Sequence, residues 1–290
     1  MIQFILHILI SAIIFAILTS GFRFFIKLRW TIDFSYVAII IFASYTSALL
    51  NIHFWLGILV SILLSFWLSV VFTFLVLFLS SRLNDVYFSI GTLALYILAY
   101  QLAYNLEGIT WWALWLSWIS RNLIGSVMVT SLWSYVALSL AIIVLLFSWL
   151  FLFKKSYFYK VLMWRGENEL VVKSLWTNVM KYKFVMIVIT TFLAAVGWGL
   201  YTFYYLYIDP SSFRLSMLIL LVVIWFISYK YSDRWILITS IVVMFAYEYL
   251  RFFKIVDPSK IWYFREMIFG LIVVIIAFVV FRKTSFGREN

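Results

Sequence analysis

The sequence contains no cysteine, so disulfide frameworks and thiolate metal sites are excluded from the start. Charge is scarce as well. Only 11% of the 290 residues are Asp, Glu, Lys or Arg, where a soluble domain carries roughly 25%. Proline occurs twice, so long helices run with few breakers. A G-x-x-x-x-G-K-[ST] phosphate loop is missing too, and the chain therefore cannot hydrolyse ATP by itself. Residues 1–22 lack the basic leader and small-residue cleavage site of a signal peptide, and read as a retained first helix.

What remains is apolar. Hydrophobic residues make up 67% of the chain and the mean hydropathy is +1.10. Such a chain cannot cover its own surface with polar groups, so lipid must be its solvent. Within lipid every backbone N–H and C=O needs an internal partner, which leaves helices or closed barrels. Barrel strands alternate apolar and polar positions. The apolar runs here are continuous, as in 127–153, so helices are expected.

At about 20 residues per crossing, nine spans are expected, at 2–22, 33–50, 54–80, 86–105, 127–153, 184–207, 211–229, 235–250 and 262–281. The second and eighth are short enough to be partly re-entrant. The seventh and eighth form a helical hairpin. With the connection 154–183 in the cytoplasm, sixteen Lys and Arg residues lie inside and six outside, as the positive-inside rule requires. This scheme puts the N-terminus outside and the C-terminus inside. The net charge of +11 then belongs to basic loops facing an anionic leaflet and calls for no nucleic-acid partner.

Local signals mark several boundaries. Asp209-Pro210 and Asp257-Pro258 each read as a cap followed by proline at the first helical position. Asn84-Asp85 is a candidate cap for the fourth span. Trp111, Trp112, Trp115 and Trp118 are spaced for a short helix in the membrane interface. The connection 154–183 holds an amphipathic helix near 166–178, with Glu167 and Glu169 in its first turn and Glu169 spaced to pair with Lys173. By its physics alone this helix either rests on lipid or docks a cytoplasmic partner.

Polar residues within the spans are the candidates for a solute pathway: Tyr87, Thr92, Gln101 and Asn105. Each also has a plainer reading as a helix-packing or interhelical hydrogen-bonding group. Gly197 and Gly199 read as points of close helix approach. His7 and His53 lie in separate segments with no carboxylate cluster, so neither a metal nor another cofactor is expected. Asp209 reads as a cap. Glu248 and Arg251, one turn apart, read as a neutralising pair. Tyr201, Tyr204, Tyr205 and Tyr207 read as an aromatic belt.

Several blocks, taken in order, resemble the branched-chain amino acid ABC transporter permeases. They are ASYTSALL at 43–50, RLNDVYFSIGTLA at 82–94, NELVVKSLWTNVMKYK at 168–183, the segment 184–213 ending GLYTFYYLYIDPSSF, EYLRFF at 248–253 and REMIFG at 265–270. The resemblance spans nearly the whole chain. It implies one transmembrane permease domain over 1–290, an all-α polytopic bundle with a cytoplasmic coupling helix in the loop 154–183. It also implies the permease subunit of an importer in a prokaryotic plasma membrane. Its partners would be cytoplasmic ABC ATPase subunits, a second permease subunit and an extracytoplasmic substrate-binding protein. Its substrate would be a branched-chain amino acid or a related amide or carboxylate. By resemblance Glu167, Asn168, Glu169, Lys173 and Trp176 would couple to the ATPase. The chain departs from the family at Val171, Val172 and Trp176, where small residues and a glycine are usual, at 107–110, and in the glycine-free stretch 226–235. Two other functions stay open on sequence: a membrane-embedded enzyme acting on lipid-linked substrates, with Glu107, Arg121 and Asp257 as its outer polar residues, and a permease-like structural partner without flux.

Overall fold

A computed structural model describes residues 2–29, 34–83, 85–105, 116, 118–124, 127–161, 179–228, 234–250, 263–272 and 274–275. The helices are α1 (Ile2–Arg29), α2 (Ser35–Phe54), α3 (Ile58–Arg82), α4 (Asp85–Asn105), α5 (Leu132–Lys155), α6 (Val179–Tyr205), α7 (Leu215–Ser228) and α8 (Arg234–Tyr249). Residues 263–272 are helical as well. Seven helical segments are long and apolar enough to cross a membrane among the described residues, and Trp235–Tyr249 is a shorter apolar helix. The protein is an all-α polytopic membrane bundle.

The second span is long enough for a full crossing: α2 has 20 residues, about 30 Å at 1.5 Å per residue. The fifth span is corrected at its start. Asn122–Ile124 (β1) and Val127–Met128 (β2) pair antiparallel, and helix α5 begins only at Leu132, capped by Ser131, whose side chain accepts from the Ser134 N–H. The interfacial-helix expectation fails at Trp118, which sits in non-helical chain with φ 71 and is exposed. Trp111, Trp112 and Trp115 lie outside the described residues, as do Asn84 and the Asp257-Pro258 pair.

Helix α6 lies at the centre. It packs against α1, α2 and α3, and α1 in turn contacts α5, α7 and α8. Two glycines set its approach. A Cβ at Gly197 would meet Leu18 of α1 at 2.8 Å, and one at Gly199 would meet Ile62 of α3 at 2.6 Å. Helix α3 is sided in the sense that lipid demands. Ser61, Ser65, Ser69 and Thr73 are buried at four-residue spacing, while Leu63, Trp67, Val71, Phe74 and Phe78 are exposed. Ser65, Ser69 and Thr73 donate to carbonyls of their own helix. Their contribution to packing is therefore narrowness, which lets helix axes come close in a solvent that offers no hydrophobic drive.

The two ends of the bundle differ in charge. Arg23, Arg82, Lys154, Lys155 and Lys181 lie toward one end, where Lys154 stacks over Phe24 at 5.3 Å. The other end carries the loop through Asp209. We call these the basic end and the aspartate end. At the aspartate end, the hairpin rests on the α2–α3 turn at Gly57, where any side chain would collide with the Leu123 carbonyl. Buried Asn51 ties the two together: its Nδ2 donates to the Leu56 carbonyl at 2.6 Å, and its Oδ1 accepts from the Ser120 N–H at 2.8 Å.

Candidate functional site

Between α6 and α7 the chain does not simply turn around outside the bundle. Leu206 adopts a left-handed backbone, φ 57, and its N–H closes on the Thr202 carbonyl at 2.9 Å. Ile208 then bridges to Leu116. Asp209 caps a short 3-10 turn, Pro210–Phe213, accepting from the Ser212 N–H and the Ser211 hydroxyl at 2.8 Å each. This is the cap that Asp209-Pro210 announces in the sequence. Tyr207 also donates to Asp209, at 2.8 Å. Burial first, and Asp209 second, push the Tyr207 hydroxyl up to about 12.

From that cap the turn dips inward. Phe213 is fully buried, with its ring 5.0 Å from Trp198 and 5.9 Å from Tyr45. The hydroxyl of Tyr96, in α4, donates to the Phe213 carbonyl at 3.0 Å, satisfying a backbone group that would otherwise be stranded in an apolar interior. Helix α7 starts from this depth and has 14 residues, about 21 Å of rise.

Beside the dipped turn lies a cavity of about 460 Å³, within the range of small-molecule pockets, roughly 300–1,000 Å³. The turn supplies Ser211, Ser212 and Arg214; α6 supplies Trp198, Tyr201 and Tyr205; α1 supplies Ser11 and Phe15; α8 supplies Tyr247 and Glu248; and the last helix supplies Arg265 and Glu266. Trp198, Tyr201 and Tyr205 stack in sequence, with centroids 4.3 and 4.4 Å apart. Across from them Arg265 lies over the Tyr247 ring at 4.3 Å and faces Glu248 at 3.8 Å. Among the described residues, two arginines and two glutamates thus share one recess, with formal charges that cancel.

Several expectations are revised here. Glu248 faces Arg265, on a different helix, at 3.8 Å; Arg251, its expected partner, lies outside the described residues. Tyr201 and Tyr204 do not form an outward belt. Tyr204 is buried, with His7 Nδ1 2.8 Å from its hydroxyl, and Tyr201 faces the cavity. Only Tyr205 and Tyr207 of the four are exposed. The cause is the central position of α6, which no local pattern reveals. Arg121 is a helix cap: its Nε donates to the Phe203 carbonyl at 3.0 Å and its Nη2 to the Tyr204 carbonyl, in the last turn of α6.

The four span residues singled out in sequence share helix α4. Thr92 is buried, donates to the Ser89 carbonyl at 3.0 Å and accepts from the Phe34 N–H at 3.4 Å, at the start of α2. Tyr87 is exposed. Gln101 and Asn105 are exposed and bonded to each other, Asn105 Nδ2 donating to the Gln101 carbonyl at 2.8 Å and to its Oε1 at 3.2 Å. None of the four lines the cavity described above. Glu167, Asn168, Glu169, Lys173 and Trp176 lie outside the described residues. The cavity residues went unrecognised because they come from six separate elements, α7 with Ser216, Met217 and Leu220 among them; the one local signal was Asp209-Pro210 followed by two serines.

No curated protein and no solved structure matches the chain. A family model does, that of the branched-chain amino acid transport system, permease component, and it aligns with residues 4–273, from the first helix through the last one described. With that alignment covering nearly the whole chain, the chain belongs to the branched-chain amino acid transport permease family.

Proposed function

We propose that the chain is the membrane-spanning permease subunit of an ABC importer. It moves a branched-chain amino acid, or a related small amide or carboxylate, across a prokaryotic plasma membrane. The family alignment over residues 4–273 carries this reading. The absence of a phosphate loop from the sequence agrees with it, because energy would then come from partner ATPases. A second permease subunit completes the pathway and an extracytoplasmic binding protein delivers the solute to the aspartate end.

In this reading the basic end faces the cytoplasm. The loop carrying Glu167, Asn168, Glu169, Lys173 and Trp176 is gripped by the ATPase, and closure of the ATPase pair shifts the bundle between its two open states. The test is co-purification. Expressed with ATPase subunits of branched-chain amino acid importers, the tagged chain retains an ATPase, and the double variant Glu167→Lys, Glu169→Lys loses it at least roughly tenfold, as reversing two charges at a contact does. A wild-type chain that retains no ATPase refutes the proposal.

A further inference from the structure

Two tryptophans at the aspartate end hold a backbone that their side chains disfavour. Trp55 closes α2 with φ 54, and Trp118, two residues ahead of Ser120, has φ 71. Glycine is the usual occupant of that left-handed region, and a residue as bulky as tryptophan is strained there. Such strain persists only where something compensates it. Packing of the indoles within the chain does not, since Trp55 is 77% exposed and Trp118 is 86% exposed. Phe54, the last residue of α2, and Trp133, in the first turn of α5, are exposed too. The elements that carry them are joined, because the hairpin rests on the α2–α3 turn at Gly57 and Ser120 is bonded to Asn51 of α2.

An exposed aromatic surface marks either a protein partner or a membrane. Its surroundings decide between them. A docking face for a water-soluble protein carries a polar rim. Here residues 34–81 contain no Asp, Glu, Lys or Arg, and residues 108–153 contain Arg121 alone, whose guanidinium is turned onto the α6 carbonyls. Further along α3 the exposed residues include Leu63 and Trp67, and along α5 they include Val144 and Leu145. The aromatic surface therefore borders the lipid-facing sides of two spans, at the level where those spans end. Tryptophan settles at that level in a bilayer, with its ring among apolar groups and its N–H among polar ones.

We propose that the Phe54-Trp55 turn, Trp118 and Trp133 form a phospholipid-binding rim, seated at the headgroup–acyl boundary of the bilayer at the aspartate end. It is an interfacial surface made from strained turns and a hairpin, without a helix lying in the interface. The rim is tied to the loop before the dipped turn, because Leu116 and Ile208 exchange backbone hydrogen bonds at 2.9 and 3.1 Å. Lipid thus steadies the chain that leads into Asp209. Which face of the membrane this is rests on the permease reading; the contact with lipid does not.

The chain has no cysteine, so a single nitroxide reports alone. Trp55→Cys and Trp118→Cys are spin-labelled separately in the full chain and reconstituted in phosphatidylcholine–phosphatidylglycerol vesicles. Collisions with oxygen, which concentrates in lipid, are compared with collisions with a neutral nickel chelate, which stays in water. Free nitroxide in buffer marks water, and Val144→Cys on the exposed side of α5 marks the membrane interior. At both tryptophan sites the balance should shift toward oxygen from the buffer value and stop short of the Val144→Cys value. A second measurement keeps the rings in place. The emission that wild type has and Trp118→Phe lacks should be quenched by phosphatidylcholine brominated near the headgroup; Trp55→Phe serves if Trp118→Phe does not fold by size-exclusion profile. A buffer-like balance at either site, or difference emission quenched by aqueous iodide and untouched by the brominated lipid, overturns the proposal and leaves these tryptophans to a water-soluble partner. Neither measurement contains an ATPase or a solute, so their failure leaves the importer reading standing, and loss of ATPase association leaves the rim standing.

Discussion

Gly199 and Gly270 are the same residue type in helical chain, and their surroundings give them opposite costs. A methyl at Gly199 would press on the branched Ile62 side chain at 2.6 Å, whereas among the described residues nothing lies within 4 Å of a Cβ built at Gly270. Gly199→Ala should therefore destabilise the protein by about 1–3 kcal/mol, the usual cost of overpacking. Gly270→Ala should stabilise it by about 0.5–1 kcal/mol through lost backbone freedom in the unfolded chain. Thermal unfolding in detergent, followed by tryptophan fluorescence, checks both signs. The sequence marks Gly199 as a contact because a glycine within an apolar span permits close approach. It cannot name Ile62, which is 137 positions away along the chain. Asp209 was wholly legible, since a cap bonds to residues two and three places on. The approach of Arg265 to Glu248 was not, because it is made by the crossing of α8 and the last helix.

Among the elements, α6 is closed at its C-terminus by groups from elsewhere in the chain. Arg121 covers the Phe203 and Tyr204 carbonyls, with its guanidinium 5.7 Å from the Tyr135 ring centroid. The Tyr135 hydroxyl donates to the Leu200 carbonyl. A cation on the negative end of a helix macrodipole is favourable, more so out of water. Arg121→Gln should lower stability by roughly 2 kcal/mol, the loss of charged hydrogen bonds at a partly buried site. The matching readout is a lower unfolding midpoint in the same fluorescence assay, with helical circular dichroism retained at room temperature. A midpoint equal to wild type would dismiss the cap. The long membrane helices were readable, since long apolar runs have few alternatives in lipid. The hairpin at 122–128 was masked because Val127, Met128 and Val129 continue an apolar run into α5. Gly125-Ser126 ahead of that run and Ser131 within it were the available breaks, a turn dipeptide and an N-cap. The aromatic residues of α6 were misplaced for a related reason: whether a tyrosine faces lipid or protein depends on which helices surround its own.

For the molecule as a whole, the charge difference between the two ends is a statement about orientation that can be tested directly. The chain has no cysteine, so a single introduced thiol reports alone. Thr130 at the aspartate end and Tyr157 at the basic end are both exposed. In intact cells a membrane-impermeant maleimide should label Thr130→Cys and spare Tyr157→Cys until the membrane is permeabilised. The reverse pattern would invert the topology. Membrane class and basic asymmetry were legible because they are sums over many residues; of the nine spans expected, seven long apolar helices and the shorter Trp235–Tyr249 stand among the described residues. The cavity was not legible, because it draws on α1, α6, the turn, α7, α8 and the last helix at once. The dipped Pro210–Phe213 turn has one more consequence, an electrical one. Water filling a polar recess that reaches the start of α7 would carry the conducting phase to that depth, and the insulating layer beside it would shrink to about the 21 Å rise of that helix. The membrane voltage, worth about 2.3 kcal/mol per elementary charge at 100 mV, would then fall across this thinner dielectric, and an ion seated in the recess would already stand outside most of the field.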